Sequence, residues 1–425
     1  MFKVLVIAYY FPPLGLSGVQ RTVKFVKYLP SNNWSPTVLT CGDIAYYSYD
    51  NDLLDEVTND DIKIVRVNGG EINSRLRNKG AAKMPSEFIR KLLNRLSQTF
   101  FIPDNKIGWT KKAIIKAREL LKSEKFDGIF VTAPPFSSFQ MACKLKKEFN
   151  LPLIVDYRDL WYGNHFSFYP TPFHSLLHKR MEYKSLKTVD KVITINRRMK
   201  EKLIENYKFL TFKDVYIIPQ GFDPKDFDGI VPEKKLQSKM IIMYSGIFYE
   251  FITPKFFLRA FKLLTIERPE IAANIELHFT GFLRKENRRL IKKLSLQEYV
   301  KENGYLSHRT SLLKTMSSDI LWFMVGNGKN ADTVSTGKAF EYFGTRKPVI
   351  ACVPEGPLRN SLEEYGAAFI TDPDNIEQIK NTIVKVYELY IKNNLPVPNE
   401  EFILNLRRDY LTELLTKQMQ FLLRS

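Results

Sequence analysis

Cysteine is scarce in this chain, and long apolar segments are absent. The three cysteines, Cys41, Cys143 and Cys352, are odd in number, widely spaced and form no C-x-x-C pair. This distribution argues against a disulfide framework and a thiolate zinc site, and it favours a reducing compartment. No stretch of about 18 or more apolar residues occurs, so we predict no membrane-spanning helix.

The first residues also lack most features of a secretion signal. Lys3 is the single positive charge there, the apolar stretch from Val4 to Phe11 is short, and no small-residue cleavage site precedes the prolines. We therefore expect a cytoplasmic protein.

Several familiar catalytic motifs are missing. There is no GxxxxGK(S/T), no GxGxxG and no G-x-S-x-G sequence, which weighs against a P-loop enzyme, a dinucleotide-dependent oxidoreductase and an α/β-hydrolase. His174, His178 and Glu182 have the spacing of metal ligands on one helix face. However, Ser175 stands where zincins have a glutamate, and we predict no metal site.

Acidic residues are outnumbered by basic ones. The chain has 64 lysines and arginines against 46 aspartates and glutamates, a formal net charge of +18. This charge favours an anionic partner: nucleic acid, an anionic bilayer or a phosphorylated substrate. Because no basic-aromatic repeat and no nucleic-acid-binding module is recognised, we do not expect nucleic acid to be the partner.

The basic residues concentrate between positions 75 and 95, where seven lysines and arginines stand against one acid, Glu87. Two interpretations of this region remain open. A helix there packs its apolar stripe on its own domain, or residues 83–101 dock to an anionic membrane as an interfacial helix. The apolar residues with helical spacing are Phe88, Ile89, Leu92, Leu93, Leu96 and Phe100.

Short apolar strands alternate with amphipathic helices along most of the chain. This pattern predicts an α/β protein with two doubly wound, Rossmann-like domains of parallel strands that face a cleft. A segment rich in Pro, Gly, Asp and Lys separates the two series of strands. We predict an N-terminal domain at 1–220, a linker at 221–238, a C-terminal domain at 239–398 and a long helix at 399–425 that crosses back to the N-terminal domain.

Ligands of open α/β sheets bind at the carboxyl ends of the strands, so we searched the loops that follow strands. In the opening loop, 12–21, Gly15 and Gly18 allow close approach of the backbone. The helix that follows offers N–H groups and a positive dipole end to an anion. An ordinary tight turn is the alternative.

A second loop, "DYRDLW" at 156–161, places two carboxylates, a guanidinium and a large aromatic side chain together. Arg158 and Asp159 are our candidates for contact with the reacting groups, because arginine suits phosphate or carboxylate and the aspartate suits hydroxyls. Asp156 and Trp161 are candidates for binding the acceptor. A structural ion-pair network is the alternative.

A third segment, 327–350, follows a predicted strand and opens a helix with capping residues that include Thr336. Gly337 and Lys338 lie in its first turn, where backbone amides and a lysine together would hold a pyrophosphate. Glu341, one turn on, is placed to accept hydrogen bonds from a ribose diol. A capped helix with solvated side chains is the alternative.

Six motifs follow one another along the chain: YYFPPLGLSGVQR, TAPPFSSF, LPLIVDYRDLW, VITIN, IPQGFDPKDF and STGKAFEYFGTRKPVI. Their number and order resemble family 4 glycosyltransferases of the GT-B fold, especially bacterial members that build capsule, O-antigen or exopolysaccharide chains. The resemblance runs from residue 2 to about residue 370.

The resemblance implies that the N-terminal domain binds an acceptor and the C-terminal domain binds a nucleotide sugar. It implies transfer with retention of configuration, without a cofactor or a required metal. The segment from Gly15 to Gly18 matches the loop that lies against the donor phosphates. Glu341 matches the second of two family glutamates, the one that holds the ribose, and QGFD matches the interdomain NGVD segment.

The chain also departs from the family pattern. Thr333 stands where the first family glutamate falls, and the family's arginine and lysine are not evident after Gly246, a donor-binding candidate. Lys255 is a displaced substitute at best, and we expect Lys338 to supply the missing charge. Arg158 and the following aspartate stand where many members have a histidine.

We therefore expect a glycosyltransferase that moves a sugar from a UDP- or GDP-sugar to a lipid-linked or polysaccharide acceptor in surface polysaccharide biosynthesis, at the inner face of the cell membrane. A GT-B-fold sugar-nucleotide 2-epimerase is the alternative enzyme, and a basic nucleic-acid-binding protein is a weaker one. The nucleotide, the sugar, the acceptor, the linkage and the oligomeric state stay open.

Overall fold

The computed structural model describes residues 1–15, 17–46, 48–70, 87–164, 167–233, 239–249, 251–328 and 331–424. The chain forms two compact units. Unit 1 comprises Met1–Gln220 and Arg408–Ser425, and unit 2 comprises Gly221–Arg407. Each unit has its own hydrophobic core.

Unit 1 is built on seven parallel strands. They are β1 (Phe2–Ile7), β2 (Trp34–Cys41), β3 (Lys63–Val67), β4 (Gly128–Ala133), β5 (Leu153–Tyr157), β6 (Lys191–Thr194) and β7 (Val215–Ile217), in the sheet order β3-β2-β1-β4-β5-β6-β7. The helices up to β7 are α1 (Ser17–Tyr28), α2 (Asn51–Asp55), α3 (Glu87–Phe100), α4 (Ile107–Ser123), α5 (Phe136–Phe149), α6 (Pro172–Leu186) and α7 (Arg197–Asn206).

The central strands of unit 1 are apolar because helices cover both faces of a parallel sheet. Val4, Leu5, Val6 and Ile7 of β1 are fully buried. β1 pairs with β2 on one side and with β4 on the other. The crossovers therefore change direction between β1 and β4, which makes the carboxyl ends of these strands the topological switch point of the sheet.

Unit 2 repeats this plan with six parallel strands. They are β8 (Met240–Ser245), β9 (Ile275–Thr280), β10 (Val300–Gly304), β11 (Ile320–Met324), β12 (Val349–Cys352) and β13 (Ala368–Thr371), in the order β10-β9-β8-β11-β12-β13, with the switch point between β8 and β11. The helices are α8 (Lys255–Glu267), α9 (Pro269–Ala272), α10 (Lys285–Lys293), α11 (His308–Met316), α12 (Gly337–Thr345), α13 (Pro357–Tyr365), α14 (Ile376–Ile391) and α15 (Glu400–Leu404).

The expected α/β class with two doubly wound parallel sheets is confirmed. One strand, β10, was not expected because its sequence, VKENG, has no apolar run, and an edge strand does not need one. Of the segment expected as a linker, 221–238, the structure describes residues 221–233. Within it, Phe222 is buried in the core of unit 2, ahead of a 3₁₀ turn at Pro224–Phe227.

The end of the chain is not the single long helix that the periodicity predicts. α15 ends at Leu404, and a second helix, α16 (Arg408–Arg424), follows. Between them the carbonyl of Leu406 accepts a hydrogen bond from the N–H of Phe222 at 3.1 Å, which takes this carbonyl out of any helical pairing. α16 packs against α1 in unit 1.

Candidate functional site

At the switch point of unit 2, the end of β8 meets the helix that follows β11. Gly246 continues the chain after β8 with a φ of +138°, a conformation that side chains rarely adopt. Lys338, from the first turn of α12, fills the space that a Cβ on Gly246 would need. Gly246 therefore makes room for the lysine at the carboxyl end of the sheet, where ligands of such folds bind.

Lys338 brings one ammonium group to this point. Its Nζ atom lies 3.9 Å from the centroid of the Tyr244 ring, which is a cation–π contact. The side chain is half-buried. Withdrawal from water lowers the pKa of Lys338 to about 7, against an opposing effect of the Glu341 carboxylate. At neutral pH this lysine is therefore close to half protonated, and a bound anion favours its charged form.

The first turn of α12 offers backbone N–H groups beside the ammonium. Thr336 is the N-cap residue, and within the described part of the chain its side chain makes no capping hydrogen bond. A Cβ on Gly337 would meet no described atom within 4 Å. The start of the helix is thus open to a ligand, and its N–H groups and dipole favour an anion.

Glu341 lies one turn further along α12 and is half-buried. Its Oε2 atom is 3.8 Å from Nδ1 of His308, and Nε2 of that histidine is 3.2 Å from Oδ2 of Asp226. Sequence reasoning did not place His308 or Asp226 at a site. The available signal was the Ser307 cap, which places His308 at the first position of α11.

Tyr342 fixes α12 to the end of β8. Its buried hydroxyl accepts a hydrogen bond from the N–H of Ser245 at 2.8 Å, and burial raises the pKa of Tyr342 far above its ordinary value. Because Tyr342 is neighboured by the two candidate side chains of α12, this bond sets the position of Lys338 and Glu341 relative to the sheet.

The opening loop lies at the switch point of unit 1. The N–H of Gly15 donates to the carbonyl of Ser48 at 2.9 Å, and a Cβ on Gly15 would lie 3.0 Å from the Ser48 hydroxyl. α1 begins at Ser17, and Gly18 is exposed. The nearest atom to a Cβ on Gly18 is a guanidinium nitrogen of Arg158, at 3.9 Å. Gly15 is thus explained by packing, whereas Gly18 keeps the start of α1 open.

Arg158 joins the loops on both sides of this switch point. One terminal nitrogen donates to the carbonyl of Gly18, and the other donates to the carbonyl of Pro134 at 2.7 Å. The residue is 9% exposed, and its Nε atom has no partner among the described residues. In this structure the guanidinium holds the two loops together through their backbones.

Asp156 is fully buried and paired with Arg21. The carboxylate accepts hydrogen bonds of 2.9 to 3.0 Å from Arg21, which also donates to the carbonyls of Ile218 and Pro219. No surface of Asp156 is left for an acceptor. Arg21, which sequence reasoning did not single out, therefore anchors α1 to β5 and to the end of β7.

Trp161 is also enclosed in the core of unit 1. It is 1% exposed and stacks on Phe136 with ring centroids 4.9 Å apart. Its Nε1–H donates to Nδ1 of His178 at 2.9 Å. Trp161 therefore stabilises the loop after β5 from within the core, and it has no exposed surface that an acceptor could contact.

Glu182 is a buried carboxyl group beneath the same loop. It accepts hydrogen bonds from the hydroxyls of Tyr157 and Tyr207 and from the N–H of Tyr162. Burial raises the pKa of Glu182 to about 7, although these hydrogen bonds act in the opposite direction. Sequence reasoning considered Glu182 only as a metal ligand, whereas its contacts hold the loop.

Asp159 differs from the other members of DYRDLW. It is half-buried, and within the described residues its carboxylate makes no hydrogen bond and no ion pair. Asp159 is therefore the acid of this cluster that remains available to a ligand.

Comparison with known proteins identifies the family. The profile described as Glycosyltransferase Family 4 matches residues 18–226. Residues 18–226 belong to glycosyltransferase family 4. The family that the motifs resemble is thereby confirmed. A search of curated protein sequences gave no significant match.

Solved structures share the fold over nearly the whole chain. Sucrose-phosphate synthase of Thermosynechococcus elongatus aligns with a TM-score of 0.65 and 13% identity over 100% of both chains. HepE of Anabaena, in complex with UDP and glucose, aligns with a TM-score of 0.63 and 11% identity over 99% of this chain and 100% of its own. WaaG, a glycosyltransferase involved in lipopolysaccharide biosynthesis, aligns with a TM-score of 0.58 and 12% identity over 98% of this chain and 99% of its own. The chain therefore has the α/β fold of GT-B glycosyltransferases.

Among the described residues, none of the helices is long and apolar enough to cross a membrane.

Proposed function

We propose that the protein is a retaining glycosyltransferase that moves a sugar from a UDP- or GDP-sugar to a lipid-linked or polysaccharide acceptor. The observation that carries this proposal is the position of Lys338, whose ammonium lies at the Gly246 end of β8 beside the open start of α12. One cation together with the N–H groups at the start of a helix, at a switch point, suits a diphosphate.

In this proposal unit 2 binds the donor. The amides after Thr336, at Gly337 and Lys338, bind the diphosphate together with the Lys338 ammonium, and Gly246 makes room for the lysine at the strand end. Glu341 accepts hydrogen bonds from the ribose hydroxyls. Lys338 takes the place of the arginine and lysine that the family has after Gly246. Lys255 is exposed, and its Nζ lies 5.0 Å from the centroid of the Phe256 ring. It therefore lacks the half-buried position that Lys338 has.

The proposed chemistry needs no covalent nucleophile and no metal. The departing diphosphate gains negative charge as the glycosidic bond breaks, and the α12 N-terminus and Lys338 stabilise that charge. The acceptor hydroxyl then attacks from the face that the diphosphate leaves, so that the anomeric configuration is retained. Transfer that survives an excess of EDTA supports the metal-free part of the proposal; transfer that is lost and then restored by Mg²⁺ or Mn²⁺ refutes it.

In unit 1 we propose roles for Asp159 and for the open start of α1 at Gly18. Asp159 is proposed to orient the acceptor hydroxyl, because its carboxylate is not engaged within the described chain. Arg158, Asp156 and the enclosed Trp161 act through the loops that they hold, rather than by contact with the acceptor.

The comparisons support the donor and acceptor classes. HepE was solved with UDP and glucose, and WaaG is involved in lipopolysaccharide biosynthesis. We therefore propose a UDP-sugar as the first donor to test and a surface polysaccharide, lipopolysaccharide or capsule, as the product. The excess of positive charge is proposed to keep the enzyme at the inner, anionic face of the cell membrane.

A thermal-shift screen of UDP, GDP and their sugars tests the donor. We expect stabilisation by one nucleotide diphosphate, by RT ln(1 + [L]/Kd). Product analysis with the selected donor then separates transfer, which extends an acceptor, from epimerisation, which releases an epimeric sugar. Absence of any nucleotide-dependent shift contradicts the proposed function.

A further inference from the structure

Helix α3 differs from an ordinary surface helix because its apolar side chains are exposed. Phe88 and Phe100 are 77% and 76% exposed, and Leu93 is 56% exposed. Ser97, Gln98 and Thr99 in its last turns are half-buried, and the Gln98 side chain accepts a hydrogen bond from the N–H of Phe168. The expectation that this stripe packs on its own domain is therefore wrong for the described residues. Residues 71–86, which hold part of the basic run, lie outside the described residues.

A second exposed apolar element lies beside the end of α3. Phe173 and Leu176, three residues apart in α6, are 67% and 49% exposed. His174 Nε2 lies 3.2 Å from the carbonyl of Thr99, which joins the first turn of α6 to the last turn of α3. Phe168 is 38% exposed, and its ring centroid lies 5.3 Å from the guanidinium of Arg95 on α3.

We propose that these two helices form one membrane-docking surface: the apolar face of α3 together with Phe168, Phe173 and Leu176. Its occupant is an anionic lipid bilayer. An apolar face of this extent is uncommon on a monomer that stays in water, and an interfacial helix buries such a face among acyl chains. The inference deepens the membrane location within the proposed function and rests on that function only for the nature of the acceptor.

Charge selects the bilayer over a second copy of the chain. Lys91 and Arg95 of α3 and Lys179 and Arg180 of α6 are exposed on the two helices that carry the apolar side chains. A symmetric dimer through this surface would bring two copies of the same cationic patch together, which is unfavourable for a protein of net charge +18. At an anionic surface each of them is attracted instead.

The docking surface is connected to the loop that carries Asp159. That loop leads directly from β5 into α6, and the Ser175 hydroxyl of α6 donates to the Tyr162 hydroxyl at 3.3 Å. Docking through α6 therefore holds the loop close to the lipid headgroups, where a lipid-linked acceptor presents its hydroxyl.

Vesicle flotation tests the surface with the full-length protein. Vesicles of phosphatidylglycerol and phosphatidylethanolamine are compared with phosphatidylcholine vesicles. We expect binding to the anionic vesicles only, weakened by salt. Two double variants test the two helices: Leu92→Ser with Leu96→Ser in α3, and Phe173→Ser with Leu176→Ser in α6. Each pair should lower the vesicle partition coefficient at least ~10-fold, because exposed side chains that insert into the bilayer are removed.

Phe212→Ser and Ile266→Ser are matched controls, because these apolar side chains are 64% and 66% exposed elsewhere on the chain. They should bind vesicles like the wild type. Wild-type binding by the α6 pair overturns the two-helix surface. A wild-type dimer that the α3 pair dissociates, without vesicle binding, overturns the choice of a bilayer.

Thermal shifts with UDP-glucose on the same proteins keep the two proposals apart. Every variant should retain the unliganded melting temperature of the wild type, since the altered side chains are largely exposed. Flotation that depends on both helices, in proteins that bind no nucleotide, upholds the docking surface and refutes the proposed function. Nucleotide binding by a wild type that does not float refutes the docking surface alone.

Discussion

Replacing Lys338 by methionine removes the cation of the proposed donor site while keeping the length of the side chain. The loss of one charged hydrogen bond to a phosphate costs about 1.5–3 kcal/mol, so the Kd for the donor should rise by roughly 10- to 150-fold. Burial of the charge destabilises the protonated lysine in the folded protein. The variant should therefore melt at a higher temperature than the wild type at pH 7, although it binds the donor more weakly.

The pH dependence of the donor Kd gives a second prediction, whose size follows from the pKa of Lys338. The pKa of Lys338 is about 7 in the free protein, so the charged fraction falls from about one half at pH 7 to about one tenth at pH 8. If the bound diphosphate keeps the lysine charged, the Kd should rise about fivefold between these two pH values. Below pH 6 the affinity should reach a plateau, because the lysine is then protonated before binding.

Isothermal titration with UDP-glucose from pH 5.5 to 8 measures this effect, because in that range the diphosphate stays fully ionised and the uracil N3–H stays protonated. Lys255→Met is the matched control and should leave both the Kd and its pH dependence unchanged. His308→Gln tests the imidazole that lies 3.8 Å from the Glu341 carboxylate, and the pH dependence of the Kd should survive this substitution. A steep pH dependence that persists in Lys338→Met refutes the assignment.

The remaining predictions concern three carboxylates. Asp159→Asn should abolish sugar transfer while nucleotide binding, measured by thermal shift, survives; unchanged turnover removes Asp159 from the mechanism. In the wild type we expect UDP to bind roughly 10-fold more tightly than 2′-deoxy-UDP, because one charged hydrogen bond is lost with the 2′-hydroxyl. Glu341→Ala should remove this difference in Kd. A difference that persists in the variant excludes the ribose contact. Glu182, with its pKa raised to about 7, binds its proton more tightly in the folded state, so stability to urea should fall as the pH rises from 5 to 7. Glu182→Gln should flatten that slope, and an equally steep slope in the variant shows that another group causes it.

The fold was predictable because its signals are local. Apolar runs of strand length alternate with helical patterns, and parallel sheets covered on both faces need little else. The strand that escaped prediction, β10, lies at an edge and carries Lys301 and Glu302, which are exposed. The break near Leu406 depends on a hydrogen bond to Phe222, far away in the sequence, so no local pattern signals it.

The closeness of the candidate residues Lys338 and Glu341 in unit 2 was predictable for a different reason. The backbone N–H groups at the start of a helix that follows a strand favour an anion wherever they occur. Lys338 and Glu341 are one turn apart on such a helix, so their closeness is also a local property. What the sequence could not show is that Gly246 is small because Lys338 reaches across to it. That relation joins residues 92 positions apart and exists only once β8 and β11 are neighbours.

The DYRDLW segment shows why nearness in sequence is a poor guide to a shared site when the residues belong to a strand. Asp156 and Tyr157 are the last residues of β5, so their side chains point to opposite faces of the sheet. One meets Arg21, and the other meets Glu182. This alternation ends with the strand. Just beyond it, the Arg158 guanidinium donates hydrogen bonds to backbone carbonyls. The chemistry available to a ligand in this segment therefore reduces to Asp159, so that its substitution tests the role of the whole motif.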